Sequence, residues 1–187
     1  MHRAWFEENI ARVDKRSSWL AKEDAWQSTI LLFPEGSVTH RFADLPRMAD
    51  AALRRGIRVL QVLGWDRGGI DRDYPHYEPD PRLGTPEELA GAIEECRRKG
   101  VRILLFANLH WVNLETDWYR KELHRYDVKD PRGLPSNSMG WEYTTLLGLA
   151  ELCEHRMVQT NPAHPRMKRI LLAQLANLPR LGAAGAQ

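Results

Sequence analysis

The chain of 187 residues has an ordinary globular composition, with 43% hydrophobic residues, 28% charged residues and a formal net charge of +2. Because its 27 basic and 25 acidic side chains are mixed along the sequence, the concentrated positive stripe of a nucleic-acid-binding protein is not expected. The longest apolar runs are too short to cross a bilayer, and the amino terminus lacks the apolar core of a secretion signal. A cytoplasmic location is therefore expected, with neither nucleic acid nor membrane as partner.

The predicted elements alternate between strands and helices. In chain order they are a helical or irregular lead-in at 3–23, strands at 26–33, 57–65 and 101–111, helices at 45–56, 85–100, 116–124 and 164–182, and a short extended piece at 156–162. Helix starts are marked by a candidate N-cap at Asp44 and by Thr85 followed by Pro86, and His164 is expected in the turn that opens the last helix. Alternation of this kind predicts right-handed βαβ units on a parallel sheet.

Two parallel architectures fit this alternation, a doubly wound sheet and a barrel. The sequence "LLFPEGS" follows the first strand where a dinucleotide-binding fold has a glycine-rich phosphate loop, so the doubly wound sheet is disfavoured. A complete barrel takes about 250 residues. The predicted fold class is therefore α/β, a partial (β/α)8 TIM barrel with about the first three to four βα units and parallel strands. Residues 1–25 are expected to be a lead-in, and 26–187 the N-terminal half of the barrel domain.

The loop after the second strand is long and rich in carboxylates and aromatic rings. Trp65 and Asp66 are its first residues, and Asp71 and Asp73 follow. An aromatic face beside carboxylates suits a sugar, whose C–H face stacks on a ring while its hydroxyls donate to carboxylates. The alternative is a solvated acidic loop anchored by packed aromatics, although loops of this length are usually functional or disordered. The aspartate spacing does not match a calcium-binding loop, so no metal is expected.

A second polar segment, "ANLHWVN", ends the third predicted strand. Strand alternation would place Asn108 and His110 on the same side, next to Trp111. A histidine there is either a hydrogen-bonded packing residue or a member of a site, and both readings stay open. The chain has no G-x-S-x-G elbow, no H-E-x-x-H helix and no P-loop, and its 2 cysteines lack a metal-ligand spacing. No cofactor is expected.

Three blocks of the sequence resemble the barrel domain of glycoside hydrolases of the alpha-galactosidase (melibiase) clan, in an uncharacterised bacterial branch. They are "GIRVLQVLGWD", "GTPEELAGAIEECRRKGVRILLFANLHW" and "TNPAHPRMKRILLAQLANL", and the resemblance covers roughly residues 26–185. It implies that Trp65 and Asp66 contact sugar, that Asn108 or His110 is the polar residue of the next strand, and that Asn161 opens the following helix. Carbohydrate is thus the expected ligand, bound through Trp65, Asp66, Asp71, Asp73, Asn108, His110 and Trp111.

The sequence also differs from the clan at the position of the catalytic nucleophile. In the clan, the last helix is followed by Gly-x-x-Gly, two apolar residues and the nucleophilic Asp, with the acid/base on a later strand. Here Gly182 and Gly185 fit, and Ala186 and Gln187 stand at the apolar pair. The catalytic carboxylates are therefore expected beyond residue 187, and the chain alone is not expected to be active. The alternatives are a non-catalytic carbohydrate-binding module, or a half-barrel that assembles with the missing half or a second copy.

Overall fold

The computed structural model describes residues 25–138 and 157–186, together with Trp5, Trp19, Lys22 and Glu23. The lead-in predicted at 3–23 therefore lies outside the described residues, apart from those four single positions. The boundary between a lead-in and the barrel part remains a prediction. Within the described ranges, no helix combines the length and the apolar character that a membrane span requires.

A parallel sheet of four strands forms the centre of the fold, in the order β1, β2, β3, β7. Its strands are β1 (Gln27–Ile30), β2 (Val59–Leu63), β3 (Arg102–Leu105) and β7 (Gly185–Ala186). The first three lie inside the predicted strand ranges, and β7 lies where a fourth strand was expected. The predicted α/β class with parallel strands is confirmed, and the sheet corresponds to the first units of a TIM-barrel-like domain.

The helices of the described residues are α1 (Leu45–Leu53), α2 (Pro86–Arg98), α3 (Asp117–Lys121) and α4 (Pro165–Leu175). The predicted cap of α2 is confirmed, because the Thr85 hydroxyl accepts from the Glu88 N–H at 3.1 Å while the Glu88 carboxylate accepts from the Thr85 N–H at 2.7 Å. The prediction for His164 is also confirmed, since its Nδ1 accepts from the Arg166 N–H at the start of α4.

The predicted cap of α1 differs from the structure in one respect. Asp44 directly precedes α1, but its side chain makes no cap hydrogen bond to the helix. Its carboxylate instead accepts from the Arg41 N–H at 2.9 Å. The reason is a 3-10 turn at Phe42–Asp44 that leads directly into α1, so that Asp44 closes this turn and not the helix.

The two faces of the sheet have different surroundings. One face packs against α1 and α2, and its buried residues are Leu60, Val62, Ile103 and Leu105. Side chains alternate along a strand, so the other face, called here the open face, carries Ser28, Ile30, Gln61, Leu63, Arg102 and Leu104. Gln61 Oε1 accepts from Ser28 Oγ at 2.5 Å across β1 and β2. At the amino end of β3 the Arg102 guanidinium lies 4.7 Å from the ring centroid of Trp19.

A small antiparallel sheet follows β3, in the order β4, β6, β5. Its strands are β4 (Trp111–Asn113), β5 (Asn137–Ser138) and β6 (Met157–Gln159). The extended piece predicted at 156–162 is thereby confirmed. The strand predicted at 101–111 is two strands instead, because β3 ends at Leu105 and an irregular segment at 106–110 redirects the chain. The prediction that alternation places Asn108 and His110 on one side therefore does not apply.

Candidate functional site

The loop between β2 and α2, residues 64–85, is fixed against the segment that follows β1. Ile70 N donates to Leu32 O at 3.2 Å, and Leu31 N donates to Leu63 O at 3.0 Å. Gly64 has φ +59, and a Cβ at this residue would overlap the carbonyl oxygen of Leu32. Only glycine tolerates both the left-handed backbone and this close approach. Gly64 thus sets the path of the loop at the carboxyl end of β2.

Trp65 is the first large side chain of the loop, and it is fully buried, with 0% exposure. Its indole Nε1 donates to Phe106 O at 2.8 Å, and its ring stacks on that of Tyr77 with centroids 6.5 Å apart. In this structure Trp65 packs the loop against the end of β3 and has no exposed face on which a sugar could stack. Its contact with sugar stays a prediction.

Asp66 is also buried, with 0% exposure. Neither of its carboxylate oxygens has a hydrogen-bond partner among the described residues. Burial raises the pKa of Asp66 well above its usual range, and the charges of Asp71, Asp73 and Asp80 act in the same direction. Leaving a buried polar group unpaired costs about 1–3 kcal/mol, and more for a charged group. A carboxyl group in this state is more typical of a functional site than of a packing position.

A second buried carboxyl group, Asp80, has the opposite environment. It accepts hydrogen bonds from Gly68 N at 2.8 Å, from Arg82 N at 2.9 Å, and from Arg82 Nε and a terminal guanidinium nitrogen at 2.9 and 2.8 Å. Burial raises the pKa of Asp80, but the Arg82 side chain and these backbone donors outweigh it, so the pKa is lowered overall. Asp80 therefore acts as a structural anchor that joins the two ends of the loop.

Asp71 and Asp73 are half-buried at the tip of the loop. Asp71 adopts φ +59, a backbone conformation that residues other than glycine rarely use. Asp73 Oδ2 lies 3.0 Å from Arg67 Nε and 3.1 Å from His76 Nδ1. The His76 ring packs on Trp118 with centroids 4.6 Å apart. The tip thus combines carboxylates with partly exposed rings, which is the combination expected for binding a polyhydroxylated ligand.

Direct contacts join this loop to the segment after β3. Asn113 Nδ2 donates to Arg72 O at 3.0 Å, and the Tyr77 hydroxyl donates to Asn108 O. Asn113 was missed by sequence reasoning, because nothing local to "WVN" indicates a contact 41 residues away in the chain. These contacts bring two groups of predicted site residues to the same carboxyl edge of the parallel sheet: Asp71 and Asp73 from the loop, and Asn108, His110 and Trp111 from the segment.

The three predicted residues of the segment after β3 are each half-buried. Asn108 Oδ1 accepts from the N–H groups of His110 and Trp111 at 3.2 and 2.9 Å, so its side-chain carbonyl closes a turn. The ring of His110 is tilted against Trp111 with centroids 5.5 Å apart, while its carbonyl accepts from Thr160 N at 2.6 Å. Part of each of these three side chains therefore remains exposed at this edge of the sheet.

The described carboxylates and histidines of this region are not clustered as a metal site requires. Over residues 25–138 and 157–186 no group of three or more His, Cys, Asp or Glu side chains is arranged to hold a metal ion. The aspartates of the loop instead have protein partners, as for Asp80 and Asp73, or are buried, as for Asp66.

Tyr77 and Tyr74 provide a matched test of how the loop is held. Replacing Tyr77 with Phe removes the hydroxyl that donates to Asn108 O and is expected to lower the free energy of unfolding by about 1 kcal/mol. Replacing Tyr74 with Phe removes a buried hydroxyl without a partner among the described residues, so that stability should stay unchanged or rise. Urea denaturation of both variants measures this. Equal losses would contradict the assigned hydrogen bond.

Comparisons with known proteins give a family and a fold. The model of the family described as Domain of unknown function (DUF6259) matches residues 1–161. No curated protein matches the chain.

Solved structures of glycoside hydrolases match the fold at low sequence identity. The ligand-free alpha-N-acetylgalactosaminidase NagBb from Bifidobacterium bifidum has a TM-score of 0.65 and 14% identity, covering 99% of this chain and 32% of that one. The alpha-galactosidase TtGalA from Thermus thermophilus, in complex with p-nitrophenyl alpha-D-galactopyranoside, has a TM-score of 0.59 and 15% identity, covering 86% and 29%. The alpha-amylase GTA from Geobacillus thermoleovorans, complexed with acarbose, has a TM-score of 0.62 and 12% identity, covering 87% and 39%. The chain thus has a glycoside-hydrolase-like fold and spans about a third of the length of these structures.

Proposed function

This chain belongs to the DUF6259 family, and we propose that it forms part of a glycoside-hydrolase-like barrel that binds carbohydrate at the carboxyl ends of its strands. The sugar contacts are Asp71, Asp73, Asn108, His110 and Trp111, with Trp65 and Asp66 beneath them. The catalytic carboxylate pair of such a barrel lies outside residues 1–187 in this proposal. The chain contributes binding loops to the reaction and not the groups that break the glycosidic bond.

One observation carries this proposal. The contacts from Asn113 to Arg72 and from Tyr77 to Asn108 hold the two polar loops together at one edge of a parallel sheet. In barrels and other parallel α/β folds, ligands bind at this carboxyl edge because the loops that follow neighbouring strands converge there. The half-buried carboxylates and rings of these loops can accept from sugar hydroxyls and stack on sugar C–H faces. The glycoside hydrolases of similar fold agree with this ligand class.

The first test of the proposal is a binding measurement with a charge-neutral variant. Asp73→Asn keeps the size of the side chain but weakens its capacity to accept from sugar hydroxyls. We expect it to weaken binding of a glycoside about fivefold to tenfold, the difference between a hydrogen bond to a charged acceptor and one to a neutral acceptor. Isothermal titration calorimetry on the full chain measures this. Asp130→Asn is the control, since Asp130 lies in the turn at 130–134, far along the chain from the site. Equal affinities of the two variants would contradict the role of Asp73.

A second function has a structural observation in its favour. Ser28 and Arg102 are exposed on the open face of the main sheet, and among the described residues no further strand pairs with β1 on its outer edge. An edge that is unpaired among the described residues favours association with another half-barrel. In that case the chain is a self-assembling or non-catalytic carbohydrate-binding module. Sedimentation at increasing protein concentration distinguishes it, because only a self-assembling chain gains mass.

A further inference from the structure

A cavity of about 600 Å³ lies on the open face, at the carboxyl ends of β1 and β2. This volume falls within the range of about 300–1,000 Å³ that is typical of small-molecule sites. Its lining residues come from both strands and from the loop after β1, and they are Ser28, Thr29, Ile30, Phe33, Thr39, His40, Gln61 and Leu63. None of them is among the residues that the sequence or the resemblance assigned to a site.

The lining combines an apolar surface with a few hydrogen-bonding groups. Ile30 and Leu63 provide aliphatic surface, and the half-buried Phe33 provides an aromatic ring. Gln61 is 8% exposed, and its Oε1 is already occupied by the Ser28 hydroxyl. Among the described residues its amide N–H groups have no acceptor, and they can donate to a ligand. The ring nitrogens of His40 offer one further donor and one acceptor.

The charge of the lining selects between classes of ligand. Among the described residues that line the cavity there is no Asp, Glu, Lys or Arg, in contrast to the aspartate-rich loop after β2. A charged ligand would lose its hydration here without gaining an ion partner, which is costly. A neutral ring with an apolar face and several hydroxyls matches the mixture of aliphatic, aromatic and amide groups.

We propose that this cavity binds a neutral pyranose ring, stacked on Phe33 and hydrogen-bonded by Gln61 and His40. The assignment rests on the proposed function and makes it more specific, because it names a neutral sugar ring as the ligand of this part of the site and excludes a uronic acid, whose carboxylate would meet no Lys or Arg among the described lining residues. In this assignment the sugar stacks on Phe33, a partly exposed ring on the neighbouring loop, and not on Trp65, which the sequence predicted for this role but which is buried.

The experiment compares two probes on the full chain by isothermal titration calorimetry: methyl α-D-galactopyranoside and the corresponding galacturonide. The neutral glycoside is expected to bind at least about tenfold more tightly than the galacturonide, because the carboxylate is not compensated by any Lys or Arg in the described lining. Equal affinity for the two probes would overturn the proposal.

Variants locate the bound sugar. Phe33→Leu is expected to weaken binding of the neutral glycoside about fivefold, the order of magnitude of one aromatic contact, and His40→Leu should also weaken it. His124→Leu is the matched control, since His124 lies outside the cavity and packs against Tyr119. Should Phe33→Leu fail to fold, the methyl resonances of Ile30 and Leu63 in the unmodified chain give the answer, because a bound sugar must shift them saturably.

The outcomes separate this inference from the proposed function. If the glycoside binds and Asp73→Asn weakens binding, but Phe33→Leu has no effect and the Ile30 and Leu63 methyl groups do not shift, the cavity assignment is overturned and the proposed function stands. If no glycoside binds, both are overturned. If the methyl resonances shift with protein concentration and not with sugar, the cavity is a surface for another chain and the assignment is wrong.

Discussion

Replacing Asp66 with Asn is expected to raise the free energy of unfolding at pH 7, by about 1.4 kcal/mol for each unit by which burial raises the folded-state pKa over the unfolded-state value, up to the working pH. Asp66 is fully buried and neither carboxylate oxygen has a partner among the described residues. Burial raises the pKa of this carboxyl group in the folded state. The amide of Asn has nearly the same shape and carries no charge, so the variant removes the charged form that the site disfavours.

The pH dependence of this effect has a definite sign. An Asp whose folded-state pKa lies above its unfolded-state value of about 3.9 favours folding below that value, and this contribution is lost as the pH rises towards the folded-state pKa. The stability difference between Asp66→Asn and the unmodified chain should therefore be small at pH 4 and should grow towards pH 7. Urea denaturation at several pH values measures it.

Asp80→Asn is the matched control for Asp66→Asn. Asp80 is also buried, but its carboxylate accepts four hydrogen bonds and its pKa is lowered. Its contribution to stability is present above the unfolded-state pKa and is lost as the pH falls, so the variant should be less stable at pH 7, by about 1–3 kcal/mol. If both variants lose stability at pH 7, Asp66 has a partner, and the assignment of an unpaired carboxyl group is wrong.

Replacing Gly64 with Ala is expected to lower the free energy of unfolding by about 3 kcal/mol or more, because it combines backbone strain with overpacking. Gly64 has φ +59, and a Cβ there would overlap the backbone carbonyl of Leu32 and lie 3.1 Å from Ile70 N. Backbone atoms in this position cannot move without breaking the bond between Ile70 N and Leu32 O. The loop that carries Asp66, Asp71 and Asp73 should lose its position in the variant.

Gly91→Ala is the control for the glycine substitution. Gly91 lies on the exposed side of α2, and a Cβ added there meets nothing within 4 Å. This variant should gain about 0.5–1 kcal/mol, because alanine restricts the unfolded chain and favours a helix. Thermal or urea denaturation compares the two. A small loss for Gly64→Ala, similar to the change in Gly91→Ala, would show that the loop after β2 is not held against Leu32.

Local signals allowed much of the fold to be predicted from the sequence. The helix cap at Thr85 and the position of β2 could be predicted because each depends on residues that are close in the sequence. A fourth strand after the last helix was expected for the same reason. The parallel order of the strands followed from their alternation with helices. These features are determined by hydrogen bonds and side-chain periodicity within a few residues.

The candidate site was predicted less completely, because its geometry depends on contacts between distant segments. The sequence pattern indicated that Trp65 lies at the start of a loop. It did not indicate that the side chain is buried, because its indole bonds to the carbonyl of Phe106, 41 residues away. Asn108 was assigned to a strand, whereas its side chain closes a turn that ends the strand. The cavity beside Phe33 has no sequence signal at all, because it is formed by two strands and a loop that are separate in the chain.

The same contacts predict that the proposed ligand binding depends on the stability of the loop after β2. Tyr77 anchors the loop after β2 to the segment after β3, and it also packs on the buried ring of Trp65. A change to these buried rings should alter folding first and ligand affinity second. The partly exposed Asp73 and Trp111 should alter affinity with little effect on folding. Measuring both stability and affinity for each variant therefore distinguishes residues that pack the loop from residues that are proposed to contact the sugar.

The central claim, that carbohydrate binds at the carboxyl edge of the sheet, is tested most directly by an NMR titration of the full chain with methyl α-D-galactopyranoside. We expect the indole N–H resonance of Trp111 and the backbone amides of Asp71 and Asp73 to shift saturably. The indole of Trp65, which is bonded to Phe106 O, should shift little and acts as an internal reference. The absence of any saturable shift, or shifts confined to residues outside these loops and the cavity beside Phe33, would contradict the claim.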